Sequence, residues 1–270
     1  MNILLNVILI LVVVYLLLVA PRTFGVVDKG PFHNRDYAHR GLFDNASDAP
    51  ENSLAAFRKA VEAGYGIEWD VQLSKDEIPV IFHDATLERM CGVKGNVWDF
   101  TLEELKSFHL ANSQETIPTL EEALQMVDGK VPLIIEYKLD RVQTRVCELA
   151  DKLLRSYNGP YCIESFHPLA LIWYRKNRPD IMRGQLSGEF WKEDKQYRQL
   201  QYYVVAYLLT NVASRPDFVA YNHLHYKNLS RRVFAFLGGL SVCYTVKNQP
   251  DYELARKNFS MIIFDSFIPR

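Results

Sequence analysis

Charged and imidazole side chains stand at the ends of three apolar runs in this sequence. In the second and third runs the charged residues are two apart, so on a strand both side chains would project from one face. If such faces lie together at the rim of a sheet or barrel, their side chains could transfer protons and bind a phosphate. The runs are AHRG with His39 and Arg40, IEWD with Glu68 and Asp70, and LIIEYK with Glu136 and Lys138.

The paired carboxylates Glu68 and Asp70 predict a metal site. Two carboxylates pushed together into a site repel each other and are costly to desolvate. A hard divalent cation such as Mg²⁺ or Ca²⁺ resolves that conflict because it prefers oxygen ligands. Glu136 would add a third ligand, and Lys138 would add positive charge for an anionic substrate. The alternative is that the first two carboxylates simply line a solvated edge.

A hairpin brings a histidine to the same place. The segment SKDEI between Leu73 and Pro79 is too short for a parallel crossover, so the two strands around it are predicted to pair antiparallel. The returning strand ends at His83, which this pairing folds back beside Glu68 and Asp70.

The segment around His39 and the segment APENS offer the remaining groups. His39 could transfer a proton, or could be an ordinary structural histidine. Arg40 presents a fork that suits a phosphate. Glu51 is expected to hold the guanidinium of Arg40 in place, and Asn52 could support the site or simply cap the helix that follows.

The elements that position these residues alternate between apolar strands and amphipathic helices. That alternation predicts an α/β fold with parallel strands, here a TIM-type (β/α)8 barrel with an inserted β-hairpin. Nine strands are predicted, at 37–40, 67–73, 80–83, 131–138, 161–166, 182–186, 218–221, 240–246 and 262–265. Helices are predicted at 53–63, 102–107, 120–126, 141–154, 168–176, 196–212 and 251–257.

The N-terminus has a different character. Residues 3–20 are apolar except for Asn6 and Tyr15, which as a helix would measure about 27 Å against about 30 Å of membrane hydrocarbon. We expect one N-terminal transmembrane helix at 1–21, a linker at 22–34 and the barrel domain at 35–270. A cleaved signal peptide and a buried core helix are the competing interpretations. Basic residues follow the segment, so the positive-inside rule predicts a single-pass membrane protein with its body on the cytoplasmic side.

Composition narrows the possible partners. A formal net charge of -1 gives no basic field, so nucleic acid is not an expected partner. Hydrophobic residues make up 49% of the chain, enough for a large core. The four cysteines are widely spaced and are interpreted as ordinary thiols. Nothing in the sequence determines the oligomeric state.

Taken in order, the motifs resemble those of the glycerophosphodiester phosphodiesterase family over residues 35–270. The family often has WTVN near the end where this chain has Tyr244, Thr245, Val246 and Lys247, and often TD where it has Phe264 and Asp265. The departures leave an aromatic wall at Tyr244 and bear on fine substrate preference. The motifs are HRG (39–41), PENS (50–53), Glu68 with Asp70, His83 with Asp84, IPTLEEAL (117–124), Glu136 with Lys138, and Ser165 with Phe166.

The resemblance implies a barrel enzyme that splits glycerophosphodiesters into an alcohol and glycerol 3-phosphate with Ca²⁺ or Mg²⁺. The implied metal ligands are Glu68, Asp70 and Glu136, the implied acid/base pair is His39 and His83, and Arg40 and Lys138 would contact the phosphate. Two alternatives remain: hydrolysis of lipid phosphodiesters in the manner of a lysophospholipase D, with 201–209 forming either an apolar wall or a core helix, and a non-catalytic membrane-bound barrel.

Overall fold

A computed structural model describes residues 2–25, 27–139 and 141–270. Eight parallel strands close into a barrel in the order β1, β2, β4, β5, β6, β7, β8, β9 and back to β1, while β3 pairs antiparallel with β2. All nine predicted strands and the hairpin are confirmed. The strands are β1 (Asp36–His39), β2 (Gly66–Leu73), β3 (Pro79–Ile81), β4 (Leu133–Tyr137), β5 (Tyr161–Ser165), β6 (Arg183–Ser187), β7 (Phe218–Asn222), β8 (Leu240–Val246) and β9 (Met261–Phe264).

Helices cover the outside of the barrel, and most begin or end within two residues of the prediction. They are α1 (Asn2–Val19), α2 (Leu54–Glu62), α3 (Glu88–Cys91), α4 (Leu102–Lys106), α5 (Leu120–Val127), α6 (Arg145–Leu154), α7 (Pro168–Asn177), α8 (Leu200–Ala206), α9 (Asn211–Ser214), α10 (Leu229–Phe236) and α11 (Gln249–Arg256).

Two helix predictions were wrong in their extent, and two helices were missed. The single helix predicted over 196–212 is two helices, α8 and α9, because Leu208 between them has a φ of +59°, which no α-helix accommodates. Helix α6 begins four residues later than predicted. Helices α3 and α10 were not predicted at all.

The floor of the barrel, at the N-terminal ends of the strands, is apolar. Phe32 lies against it and is 5% exposed, and the hydroxyl of Tyr37 donates to the Phe32 carbonyl oxygen. Burial of this cluster follows from alternation, since inward positions of successive strands carry large apolar side chains. The cluster consists of Phe32, Tyr37, Ile134, Cys162, Met182, Leu186, Phe218, Ala220, Val242, Met261 and Ile263.

The segment after α1 closes the floor with a buried ion pair. Arg22 Nη2 lies 3.0 Å from Asp217 Oδ2, just before β7, and the Arg22 side chain is 5% exposed. Burial raises the pKa of Asp217 to about 7, against the opposing charge of Arg22. All four cysteines are free.

Helix α1 lies against the barrel only through its last turns. The hydroxyl groups of Tyr15 and Ser230 are 2.8 Å apart, Asn211 Nδ2 donates to the Val19 carbonyl oxygen, and the Arg22 backbone N–H donates to the Pro216 carbonyl oxygen. Most of the residues of α1 before Tyr15 have exposed apolar side chains. They are Ile3, Leu4, Leu5, Val7, Ile8, Leu9, Ile10, Leu11, Val12, Val13 and Val14.

Among the helices of the described residues, none is both long and apolar enough to cross a membrane. The predicted transmembrane helix is therefore not confirmed. At 18 residues α1 measures about 27 Å, and its last turns are occupied by contacts with the barrel, Val19 being fully buried. The division into 1–21, 22–34 and 35–270 stays a prediction, although Val19 and Arg22 both pack against the barrel.

Candidate active site

Three carboxylates meet at the mouth of the barrel, where the strands end. Glu68 and Asp70 project inward from β2, and Glu136 lies beside Asp70 in the register of β2 and β4. One oxygen from each lies within 4.8 Å of one from each of the others. All three are buried, and Glu68 Oε1 has no hydrogen-bond partner among the described residues.

The charges of this cluster are only partly balanced. Burial, followed by repulsion from Asp70 and Glu136, raises the pKa of Glu68 well above its ordinary value. Burial would also raise the pKa of Asp70, but the charges of Lys138, His83 and Arg40 together outweigh it, and the pKa of Asp70 is lowered. Lys138 Nζ lies 2.9 Å from Asp70 Oδ1 and 2.6 Å from Glu136 Oε1.

These three residues fit a divalent cation. Their ligand atoms are carboxylate oxygens, the type that Mg²⁺ and Ca²⁺ prefer, and buried Glu68 Oε1 has no hydrogen-bond partner within the described part of the chain. An unpartnered buried carboxylate oxygen is costly, and a cation would remove that cost.

Arg40 is fixed at the mouth by its backbone and by Glu51. Its φ is +58°, a left-handed conformation that is unfavourable for a side chain of this size. Arg40 Nη1 lies 2.6 Å from Glu51 Oε1, while Arg40 Nε has no hydrogen-bond partner among the described residues. Arg89, absent from the sequence prediction, also binds Glu51, with Nη2 2.6 Å from Oε1. Glu51 therefore does hold the guanidinium, as expected.

The turn from β1 into α2 determines where these groups lie. Gly41 has a φ of +84°, and a Cβ there would lie 2.9 Å from the backbone of Ala56 in α2, so only glycine fits. Ser53, not Asn52, caps α2, accepting a hydrogen bond from the Ala56 N–H. The amide of Asn52 is thereby left to donate to Asp70 Oδ2 at 2.8 Å.

His39, at the end of β1, forms a pair that the sequence analysis missed. Its Nδ1 lies 2.9 Å from Asp265 Oδ2, which follows β9, and its Nε2 lies 3.9 Å from Glu68 Oε2. Burial lowers the pKa of His39, and the hydrogen bond to Asp265 partly opposes that shift. Asp265 thus fixes the ring with Nε2 turned toward the carboxylates.

His83 has an equivalent partner. Its Nδ1 lies 2.6 Å from Asp84 Oδ1, and Arg89 Nε lies 2.6 Å from Asp84 Oδ2. The backbone N–H of Phe82 donates to the Asp70 carbonyl oxygen, so the hairpin returns His83 to the carboxylates as predicted. Each histidine thus has Nδ1 bound to an aspartate and Nε2 available.

A fourth carboxylate was also missed. Glu164 lies opposite Glu136 in the register of β4 and β5 and is 1% exposed. Burial, followed by the charge of Glu136, raises its pKa well above the ordinary value. The alternation within YCIES places Glu164 on the inward face with Cys162, a signal that could have identified it.

The expected aromatic wall is present on the other side of the mouth. Tyr244 in β8 donates to the Ser187 carbonyl oxygen at 2.8 Å, and its ring packs edge-on against Phe166 with centroids 5.9 Å apart. Helix α8, which contains much of 201–209, buries only Ala206, so of the two interpretations of this segment the core helix is wrong.

Fold and site together define an α/β-barrel protein with a buried acidic cluster, able to hold a cation, flanked by two histidines at its mouth. The sequence profile of the glycerophosphoryl diester phosphodiesterase family matches residues 39–265. The chain belongs to that family.

Known proteins agree with this assignment. A glycerophosphodiester phosphodiesterase of Caldanaerobacter subterraneus subsp. tengcongensis is 38% identical over 160 residues, 55% of this chain and 65% of the relative. The match therefore spans just under two thirds of that relative's length. A Thermotoga maritima glycerophosphodiester phosphodiesterase structure is 25% identical, with a TM-score of 0.67 over 87% of this chain and 95% of that one.

An Oleispira antarctica phosphodiesterase, solved in complex with the product sn-glycerol-3-phosphate, has a TM-score of 0.70. It is 24% identical and covers 86% of this chain and 93% of its own. At that identity the likeness concerns the fold.

Proposed function

We propose that this protein hydrolyses glycerophosphodiesters to an alcohol and glycerol 3-phosphate. The observation that carries the proposal is the convergence of Glu68, Asp70 and Glu136 within 4.8 Å, beside two aspartate-bound histidines. Family membership and the names of the relatives support it. Every group that the chemistry requires is present at the mouth, which disfavours a non-catalytic barrel.

The cation held by the three carboxylates would be Ca²⁺ or Mg²⁺, and when bound it supplies positive charge to the phosphoryl oxygens. Arg40 and Lys138 bind the same diester. Arg40 Nε, which has no hydrogen-bond partner in the part of the chain that the structure describes, would donate to a phosphate oxygen. Electrostatic stabilisation of this kind, from groups already fixed in place, acts on the charge that develops in the transition state.

The two histidines divide the proton transfers. His39, whose pKa is lowered, starts neutral, so its Nε2 accepts the proton of the attacking oxygen. His83 then gives a proton to the departing alkoxide through Nε2. The aspartates at the two Nδ1 atoms keep both rings oriented through the exchange.

Turnover of glycerophosphocholine by the purified full chain tests this proposal, with glycerol 3-phosphate as the measured product. We expect His39→Ala to lower kcat/KM by about 100-fold or more, the usual worth of a general acid or base. Treatment with chelator should abolish turnover, and added Ca²⁺ or Mg²⁺ should restore it. His33→Ala, an exposed histidine, is the matched control. Activity of His39→Ala within threefold of the unaltered protein would refute the assignment.

A lipid phosphodiester is the second candidate substrate. A cavity of about 460 Å³ opens beside Asp265, and much of its lining is apolar. An acyl chain attached to the glycerol would fit such a lining. Including lysophosphatidylcholine in the same assay separates the candidates, since only a lipid-acting enzyme would hydrolyse it faster than glycerophosphocholine. The apolar residues of the lining are Leu42, Phe43, Phe264, Phe267 and Ile268.

We also propose that α1 attaches the protein to a lipid surface, with the barrel on the cytoplasmic side. Exposed apolar side chains surround the helix on every face from Val7 to Val14, and lipid covers all faces whereas a protein groove covers one. The full chain should float with liposomes in a density gradient, whereas a Leu9→Lys/Val13→Lys variant should remain at the bottom. Equal flotation of the two would contradict the attachment.

A further inference from the structure

Aromatic side chains and one acidic residue form a group at the mouth that the proposed chemistry does not use. Phe166 follows β5, Phe190 lies in the loop after β6, and Tyr244 lies in β8. The Phe166 centroid is 5.9 Å from that of Phe190 and 5.9 Å from that of Tyr244, both at steep angles. Phe166 is 37% exposed, so part of this aromatic surface is open to a ligand.

Glu193 extends over the same group. Its Oε1 accepts a 2.7 Å hydrogen bond from Asn222 Nδ2, and a Cβ on Gly188 would lie 3.5 Å from that oxygen and 3.2 Å from the Tyr244 hydroxyl. Glu193 has no lysine, arginine or histidine within salt-bridge distance among the residues that the structure describes. The neighbouring Lys192 is paired with Glu189.

The aromatic group adjoins the cation site. Tyr244 packs against the inward-facing cluster of the barrel, on the same face of β8 as Val242, and its ring contacts Phe166. Along the barrel, Phe166 follows the strand next to that of Glu136, whereas His39 lies on the opposite flank of the triad. A diester whose phosphate lies at the triad would extend one of its two arms over these rings.

We propose that Phe166, Phe190, Tyr244 and Glu193 form a subsite for a leaving alcohol that carries a positive charge, a quaternary ammonium such as choline. Aromatic faces attract such cations. A quaternary ammonium has no N–H and needs no hydrogen-bond partner, whereas the hydroxyl groups of a sugar or glycerol do. The carboxylate of Glu193, which has no cationic partner among the described residues, complements the charge. This subsite rests on the proposed diester hydrolysis and adds to it the class of alcohol released.

The test compares glycerophosphocholine with its neutral isostere, the glycerophosphodiester of 3,3-dimethylbutanol, which has carbon in place of nitrogen. Glycerol 3-phosphate release gives kcat/KM for both, and their ratio is the readout. We expect the full chain to prefer glycerophosphocholine by about tenfold, which is within the range of one desolvated cation–π contact. Glu193→Gln and Phe190→Leu should each reduce the ratio to about threefold or less.

Glu253→Gln, an exposed glutamate on α11, is the matched control and should keep the ratio of the unaltered protein. Because the ratio is measured within one protein preparation, a partial loss of folded enzyme does not alter it. A ratio near one, or a ratio unaffected by both variants, would overturn the subsite while leaving the proposed hydrolysis intact. Failure to release glycerol 3-phosphate from either diester would overturn the hydrolysis and the subsite together.

Discussion

The two ends of the barrel use the same strands for opposite purposes. At the floor, inward side chains are apolar, and the ion pair between Arg22 and Asp217 is closed off from solvent. At the mouth, the next inward positions are carboxylates, and their burial, followed by their mutual repulsion, raises the pKa of Glu68 and of Glu164. Arg40 there also holds an unfavourable backbone conformation. The packing of the floor stabilises the fold, and this stability offsets the cost of holding charged groups in position at the mouth.

The largest expected difference between the two ends comes from replacing one arginine at each. Arg40→Ala at the mouth should lower kcat/KM by about 10- to 100-fold, the worth of one charged hydrogen bond to a phosphate. Its cost in stability should be below about 1 kcal/mol, because Glu51 keeps Arg89 as a partner. Diester turnover and urea unfolding measure the two effects.

Arg22→Ala at the floor should show the reverse. It leaves Asp217 buried without its cation, which should lower the free energy of unfolding by about 3–5 kcal/mol. The kcat/KM of the folded fraction should stay within about twofold. If Arg22→Ala impaired catalysis as much as Arg40→Ala, the two ends would not be separable.

A smaller effect sharpens the description of the mouth. Asp265→Asn should lower kcat by about tenfold because the ring of His39 loses its orientation. The hydrogen bond to Asp265 raises the pKa of His39, so its loss should lower that pKa further. In the proposed mechanism a neutral His39 is the active form, so the rate should fall as pH drops through its pKa. The acid limb of the pH–rate profile should therefore move to lower pH.

The control is Asp251→Asn, since Asp251 Oδ2 lies 3.5 Å from Nε2 of a different histidine, His223. This variant should leave the acid limb where it is. An acid limb that did not move in Asp265→Asn would show that His39 is not the group that titrates.

Much of the barrel was predictable because each strand is a short apolar run and the hairpin follows from loop length alone. Helix α10 was not predicted from the sequence, because Arg231 occupies a buried position in it. Arg231 is 4% exposed and donates to the Tyr226 carbonyl oxygen, so the helix lacks a clean apolar stripe.

Within the site, local spacing identified Glu68, Asp70, Glu136 and Lys138. The pair of His39 and Asp265 was beyond such reasoning, because it depends on closure of the barrel between β1 and β9, which are 226 residues apart at these positions. The apolar run of α1 predicted a helix with nearly the observed bounds, yet nothing in that run indicated that its last turn would be buried against the barrel.

The direction of α1 has a consequence for how molecules reach the enzyme. Tyr15 contacts Ser230, near the mouth end of α10, while Arg22 lies at the floor, so the helix descends along the barrel wall. Its first dozen residues therefore extend about 18 Å beyond the contact at Ser230 and past the mouth. With the proposed attachment of α1, the lipid surface would lie in front of the opening, and reactants would arrive mainly by lateral diffusion along it.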